Sequence, residues 1–502
     1  MNMLTFLLVV SVIEICIWIP IFWKRLRKAL SILVIILLSI ATGFIFGSNV
    51  GVWSFVFVVL SIYRVINLLR LVEGRTPVDY MRTVTFRSSV VLIGLHALTG
   101  VFFWLDHRYA TLQMYSLNTL MIIAFLGALF IVYVTKKHIR EIQPPKSIPA
   151  IAGRGLPSVS VLIPARNETE DLRLCLDSLL RSTYPKLEIL VLDDCSQDKN
   201  TPQIIKEFAH DGVRFIKGDV PPKHWLAKTF AYQELVDESS GEILLFCGVD
   251  VRFEPHSVES IIKTLIDTKK SMISVMPKNV LSSRAPLLSY LIQPVRYAWE
   301  IALPRNWLRR PPVLSTTWIV GRDFLKKHGE FKAVSSSSSI ESYFAKIAAK
   351  TKAYTFYQSL AVFGLTSHKL LSEQKATATR CRYPQTHRRP EIVAGLTLSE
   401  LFIMFLPYVF IIISVSELNI AMIFINLLTI ILLSYHYAVL TKVTYEKFIP
   451  IAMFLLPFAV IYDIWILNYS MWSYEFKEVI WKGRNICIPV MRYGDQAHQS
   501  SL

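Results

Sequence analysis

Two hydrophobic rhythms divide this chain. Near residues 4–23, 30–46, 52–69, 88–105 and 117–134 the apolar residues run almost unbroken. They do so again near 396–415, 420–440 and 449–471. Runs of roughly 20 apolar residues match the thickness of a bilayer core and predict membrane-spanning helices. Between the two groups the rhythm is shorter. An apolar run at 159–163 stops at Pro164, and Leu172, Leu176 and Leu179 then share one helical face. A run at 187–192 enters Asp193-Asp194-Cys195-Ser196. A helical stretch at 201–209 precedes a short strand pattern at 213–216. The tract Lys223-His224-Trp225-Leu226-Ala227-Lys228 opens a helix to Glu238, and a run at 242–246 ends in Cys247-Gly248-Val249-Asp250. Buried strands alternating with amphipathic helices predict a mostly parallel sheet covered on both faces.

The second half of this region is less regular. Residues 271–277 and 313–320 read as strands, the latter followed by a short helix to Lys327. Residues 287–303 mix aliphatic and aromatic residues with Arg296 and Glu300, which suits either an interfacial helix or a core helix. Five serines at 335–339 read as a flexible segment. The expected organisation is therefore a transmembrane region of about five helices (1–142) and a linker (143–156) rich in Pro and Gly. A central α/β domain (157–390), a transmembrane region of two to three helices (391–472) and a basic tail (473–502) follow.

Charge sets the orientation. The 502 residues carry a net charge of +17, yet only 18% are charged and 53% are hydrophobic. In a soluble domain this cation excess would suggest nucleic acid. In so apolar a chain it marks basic cytoplasmic loops, and no nucleic-acid partner is expected. Cations gather at Lys24-Arg25-Leu26-Arg27-Lys28, at Arg64, Arg70, Arg75, Arg82 and Arg87, and at Lys136-Lys137-His138-Ile139-Arg140. Loops 47–51 and 106–116 are nearly free of them. The positive-inside rule predicts an outside N-terminus, five crossings and a cytoplasmic central domain in an integral membrane protein, expected in the plasma membrane. No cleaved signal is expected, because the first span lacks a basic n-region. Three C-terminal crossings would put the basic tail outside, against the rule. Asp463 makes the last span the candidate for a re-entrant or interfacial segment, and the side of the tail stays open. The six scattered cysteines form no Cys-x-x-Cys pair, which argues against a zinc site or disulfide framework.

In open α/β sheets, ligands bind beyond the carboxyl ends of the strands. Glu168, Asp193, Asp194 and Asp250 stand at such ends. Each alone is also a common turn former or helix cap. Several at equivalent strand ends point to a metal-assisted nucleotide site.

The motifs Pro164-Ala165-Arg166-Asn167-Glu168 and Asp193-Asp194-Cys195-Ser196, with an acid after a later apolar strand, resemble the family-2 inverting glycosyltransferases of GT-A fold. Trp225-Leu226-Ala227-Lys228-Thr229-Phe230-Ala231 resembles the Trp-x-Gly-Lys-x-x-Ala motif of the membrane-bound members, which act on ceramide, hopanoid or carotenoid-type lipids. Trp481-Lys482-Gly483-Arg484 resembles a signature of that subgroup, so the resemblance spans roughly 158–484. It implies an α/β GT-A (Rossmann-like) nucleotide-sugar domain inserted between α-helical transmembrane segments. The implied reaction moves a sugar, with inversion, from a nucleotide sugar to a lipid or glycan acceptor; a UDP-sugar is the expected donor and Mn or Mg the expected metal. By resemblance Pro164, Arg166, Glu168, Asp193, Asp194 and Lys228 hold the nucleotide, and Asp250 binds the metal. Glu341 is the candidate base, and Arg380, Arg382, Tyr383 and Trp225 face the diphosphate or the acceptor. The serine run falls near the acceptor side, where a mobile gate and a plain surface loop both fit.

Three positions depart from the family pattern. Gly248 replaces the first acid of Asp-x-Asp, Glu341-Ser342 stands for Glu-Asp, and Thr379-Arg380-Cys381-Arg382-Tyr383 stands for Gln-x-x-Arg-Trp. A serine is no base near neutral pH without a partner. These losses keep a second reading open: a catalytically impaired glycosyltransferase-like subunit that binds or scaffolds within a glycan or glycolipid synthesis complex.

Overall fold

The structure, a computed structural model, describes residues 3–18, 24–48, 51–73, 78–147, 155–168, 170–281, 286, 288–303, 310–446 and 454–487. Half of the expected linker (148–154), the tail beyond 487 with Arg492, and residues 19–23 and 449–453 of two expected spans lie outside the described residues. The chain forms two units. One comprises Met1–Phe130, Thr379–Ser434 and Leu456–Val479; the other comprises Ile131–Ala378, Tyr435–Leu455 and Ile480–Leu502.

The first unit is helical. Among the described residues, Arg25–Gly47, Val52–Val72, Thr85–Arg108, Tyr115–Glu141 and Ile420–Thr444 are long and apolar enough to cross a membrane. The first expected span is a shorter helix, Met3–Cys16. Pro390–Phe405 and Pro407–Ser416 form a pair bent by 48°. Pro407 lacks an N–H and breaks the ladder there, beside a π-helical turn at Glu400–Phe405. Charges buried in this unit are paired, as a low-dielectric surrounding requires. Arg64 meets Glu14 at 2.6 Å, Glu475 accepts from Arg70 and Arg388, and Asp463 meets Arg382 at 2.6 Å.

The second unit holds the α/β domain. Its strands are β1 (Val159–Ala165), β2 (Leu187–Asp193), β3 (Val213–Lys217), β4 (Ile243–Cys247), β5 (Val251–Phe253), β6 (Met272–Met276), β7 (Lys278–Asn279), β8 (Thr317–Gly321), β9 (Tyr354–Gln358), β10 (Leu365–Ser367), β11 (Ile480–Trp481) and β12 (Arg484–Asn485). Seven of them form one mixed sheet in the order β3-β2-β1-β4-β8-β6-β9, with β8 antiparallel to both neighbours. Alternate residues of β1 serve opposite faces. Val161 and Ile163 pack with Leu176, Leu179 and Ile261, while Leu162 packs with Tyr232, Trp318 and Phe344. Each fully buried aliphatic side chain contributes roughly 1.5–3 kcal/mol, so this two-sided core fixes the register.

A small second sheet, β5-β10-β7, stands beside the main one. The helix Ser289–Ile301 settles the earlier alternative as a core helix: Tyr297, Trp299 and Ile301 are buried, and Glu300 forms a two-pronged pair with Arg310. The serine run is packed rather than loose. Ser337 is buried, Ser335 O accepts from Leu226 N at 2.8 Å, and Ser339 shares a 2.7 Å hydroxyl contact with Ser342. Small hydroxyl side chains suit such crowding because each can bond the nearby backbone.

Candidate functional site

The site begins where β1 and β2 end together. Their register pairs Ala165 with Asp193, which brings Arg166 beside Asp194. Asp194 N donates to Ala165 O at 2.8 Å, extending the ladder by one bond. Both chains then turn through left-handed residues, Asn167 at φ 46° and Cys195 at φ 50°. Asn tolerates this region; a cysteine there is uncommon and marks a constrained turn. Asp193 Oδ1 accepts from Ser196 N at 3.0 Å, so this carboxylate braces its own turn. Pro164 lies within β1 opposite Leu192. Thr201 fixes the backbone of Glu168, accepting from its N–H at 2.7 Å and donating to its carbonyl at 3.1 Å.

A hairpin from the far end of the chain meets these acids. Its turn residues Lys482 and Gly483 have φ of 50° and 76°, the pattern of a two-residue hairpin turn with positive φ at both positions. Lys482 Nζ lies 2.9 Å from Glu168 Oε2. Arg484 Nη1 donates to both carboxylate oxygens of Asp194, at 2.6 and 2.7 Å. Arg166 ties the two sides together: its Nε donates to Lys482 O at 2.8 Å and its Nη1 to Asp194 O at 2.6 Å and to Cys195 O. Burial pushes the Glu168 and Asp194 carboxyls above their ordinary range, outweighing the opposing pull of Lys482 and Arg484. Burial, then repulsion from Arg484, lowers the Arg166 guanidinium. The sequence reading placed Trp481-Lys482-Gly483-Arg484 in a tail of open side. Nothing local in the sequence shows that it seats on residues 290 and 314 positions earlier.

Asp250 lies just before β5. Antiparallel pairing of β5 with β10 sets Ser367 opposite Val251, and His368 N donates to Asp250 O at 2.8 Å. Ser367 Oγ therefore donates to Asp250 Oδ2 at 2.7 Å, and Lys369 Nζ stands 3.4 Å from the same oxygen. Burial alone would raise this carboxyl; Lys369, Ser367 and Arg296 reverse the effect and hold it below its ordinary range. A Cβ on Gly248 would lie 2.7 Å from Asp250 Oδ1. A divalent ion in such a site is held by one or two carboxylates plus phosphate oxygens. Here a single carboxylate already carries an ammonium and a hydroxyl. Among the described residues no three His, Cys, Asp or Glu side chains gather around one point. As arranged, these donors do not fit a metal ion.

Glu341 lies in the first turn of the helix Ile340–Lys350. Its Oε1 accepts from Ser339 Oγ at 3.4 Å, and its Oε2 is buried with no hydrogen-bond partner among the described residues. Lys228 opens the helix Ala227–Glu238, with Nζ 5.3 Å from the centre of the Tyr232 ring. Trp225 packs edge-on against Phe230. Leu226 N and Thr229 Oγ1 both donate to carbonyls of the serine run, at 2.8 and 3.4 Å, so this tract and the start of the Glu341 helix share one support. The structure thus brings Pro164, Arg166, Glu168, Asp193 and Asp194 together. Asp250 has its own setting of Ser367 and Lys369. Arg380, Arg382 and Tyr383 belong to the helical unit. There Arg382 pairs with Asp463, Tyr383 is buried with its hydroxyl donating to Arg388 O at 3.0 Å, and Arg380 O accepts from Tyr474.

Residues 160–299 match the family described as Glycosyl transferase family 2. A probable glycosyltransferase YdaM of Bacillus subtilis is 30% identical over 181 residues, 35% of this chain and 43% of that protein. The 4,4'-diaponeurosporenoate glycosyltransferase of Staphylococcus haemolyticus is 31% identical over 130 residues, 26% of this chain and 34% of that protein. The matches thus span less than half the length of these relatives. Among solved structures, the mannosyltransferase PcManGT from Pyrobaculum calidifontis, in complex with GDP-Man and Mn2+, is similar with a TM-score of 0.41 and 16% identity. That similarity covers 71% of this chain and 96% of that chain.

Proposed function

We propose, from the premise that this chain carries a glycosyl transferase family 2 domain of GT-A fold, that it is an integral membrane glycosyltransferase using a UDP-sugar and a lipid or glycan hydroxyl. The observation that carries this reading is the strand-end cluster. Glu168, Asp194 and Arg166 are buried, and Lys482 and Arg484 hold the two carboxylates where α/β sheets bind nucleotides. Fixed carboxylates accept from a base or ribose. The cations Arg166, Lys482 and Arg484 suit phosphate oxygens, and guanidinium groups do so in two-pronged fashion. Lys228 completes the cationic side of the proposed site.

The proposed step is a single displacement. The acceptor oxygen attacks the anomeric carbon opposite the leaving group. The bond from that carbon to the diphosphate oxygen breaks, and its electron pair stays on the nucleoside diphosphate. The hydroxyl proton passes to Glu341, and the configuration inverts. The unpartnered Oε2 of Glu341 supports this assignment, because a base must have an oxygen available to the incoming proton.

A second reading is favoured by one observation: Arg484 already occupies both oxygens of Asp194. In a binding subunit this pair would stay closed and turnover would be absent.

One experiment separates the readings. The purified full chain in detergent is titrated with UDP by calorimetry and assayed with a panel of nucleotide sugars. The transferase reading expects UDP binding and donor turnover. Glu341→Gln should then lower turnover by about 10²–10⁴-fold while leaving UDP affinity within about twofold, since a general base acts on the acceptor. UDP binding with no turnover of any donor would leave the subunit reading standing. Absence of UDP binding would remove the transferase reading.

A further inference from the structure

We infer that Lys369 supplies at this site the positive charge that a divalent ion supplies in a metal-dependent transferase, so that donor binding needs no metal. The inference rests on the function proposed above and goes beyond it by assigning a residue and a cofactor requirement.

The geometry is specific. β10 pairs antiparallel with β5, and its outgoing chain is pinned by the bond from His368 N to Asp250 O. That pairing leaves Lys369 Nζ 3.4 Å from Asp250 Oδ2, the oxygen that also accepts from Ser367. Both side chains are largely withdrawn from water, at 10% exposure for Lys369 and 14% for Asp250. An ion pair there is screened less than one on the surface. Asp250 is the acid that the family pattern gives to the metal, and here it holds an ammonium.

Gly248 fits the same arrangement. It stands where the pattern has a second acid. A Cβ there would lie 2.7 Å from Asp250 Oδ1, closer than a Cβ approaches another heavy atom. An acid at 248 would therefore force the Asp250 carboxylate to move from its present position. Glycine lets the carboxylate lie against Ser367 and Lys369. Gly248 and the Lys369 ammonium thus belong to one arrangement around Asp250.

In the transfer step, the nucleoside diphosphate leaves with the electron pair of the broken bond and one more negative charge. Lys369 keeps its proton and offsets that charge as a point cation with three donors. Asp250 is a positioning residue: it touches Lys369 and sets where the ammonium stands. No further reactant is needed for the charges to balance.

The test uses the purified full chain and UDP as the probe, so it reads binding rather than turnover. Calorimetric titrations are run in EDTA and in Mn²⁺. The expected result is a UDP Kd equal within about twofold in the two buffers. Lys369→Met should weaken UDP binding at least tenfold in EDTA, and Lys369→Arg should restore most of it. Wild-type binding that weakens tenfold or more in EDTA would overturn the inference while leaving the UDP site intact. Equal UDP affinity for Lys369→Met and wild type in EDTA would overturn it as well. No UDP binding in either buffer would overturn the proposed function and this inference with it. The wild-type comparison needs no variant, so a poorly folding Lys369→Met does not rescue the idea.

Discussion

Lys278 shows what burial does to a single cation in this fold. It sits in β7 with its Nζ donating to Lys442 O at 2.6 Å. Burial, then repulsion from Lys442, pushes its pKa down to about 8 from an ordinary 10.5. The sign follows from linkage. A lysine whose folded value lies below its unfolded value destabilises the fold while both states are charged, and this penalty fades as pH rises from the folded value to the unfolded one. Lys278→Met should therefore raise thermal stability at pH 7 by on the order of 1 kcal/mol once solvent screening is allowed for. The gain should be flat below about pH 8 and shrink between about 8 and 10.5. A melting-temperature series across that range checks it, and a gain that persists unchanged at the top of the range would sink the argument. At the same scale, Ser342 is tied to Ser339 at 2.7 Å, while Glu341 keeps a buried oxygen without a hydrogen-bond partner among the described residues.

The element that decides most at the site is the hairpin β11–β12. It is held by Lys482 on Glu168, by Arg484 on the Asp194 carboxylate and carbonyl, and by Arg166 on Lys482 O. Removing one partner of a buried pair strands the other charge. Arg484→Ala should thus cost about 3 kcal/mol of stability. Adding Asp194→Asn to that variant should cost little more, because the stranded charge is then gone. Denaturant titrations of the two single variants and the double variant form the cycle. Additive losses would mean that the pair couples nothing. Gly483 is the hairpin's second control point. Its φ of 76° strains any other residue, and a Cβ would meet Gln197 Oε1 at 3.2 Å. Gly483→Val should therefore lift the hairpin from the acids and expose the chain near 484 to trypsin faster than in wild type. Unchanged cleavage would show that the turn tolerates the side chain.

For the whole molecule, the hairpin constrains the route through the membrane. Residues 480–487 bond to Arg166, Glu168 and Asp194, just beyond β1 and β2 and within one unit, so in a membrane-spanning chain we propose that they share a side with the α/β domain. The chain between 390 and 480 must then cross an even number of times. Ile420–Thr444 is long and apolar enough for one crossing, and the bent pair Pro390–Phe405 with Pro407–Ser416 is long enough for another. The turn between them carries Glu417 and no cation, and by the positive-inside rule it is proposed to face outside. In a cysteine-free background, a cysteine at Leu418, which is 81% exposed, should react with an impermeant thiol reagent added to intact cells. Cysteines at exposed His210 and at exposed Ile480 should not react until the membrane is opened. Labelling at Ile480 from outside would overturn the even count.

The sequence by itself determined the long helices, the strands β1 to β4, β6 and β8, and their order. Apolar runs long enough for a bilayer, and shorter runs stopped by Pro164, Asp193 and Gly248, are local patterns, and local patterns suffice to specify helices, strands and the acids that follow strand ends. They also sufficed for the family resemblance. β9 and β10 were missed because Tyr354–Gln358 and Leu365–Ser367 are short and carry weak alternation. Only the tertiary structure decided which charges meet. Asp250 finds Ser367 117 positions away through the pairing of β5 with β10, Asp194 finds Arg484 through a returning hairpin, and Arg382 finds Asp463 across buried helices. The serine run, low in complexity and read as flexible, proved packed for the same reason. Partner choice depends on sheet register and on the route of distant segments, and neither leaves a periodic trace in the chain.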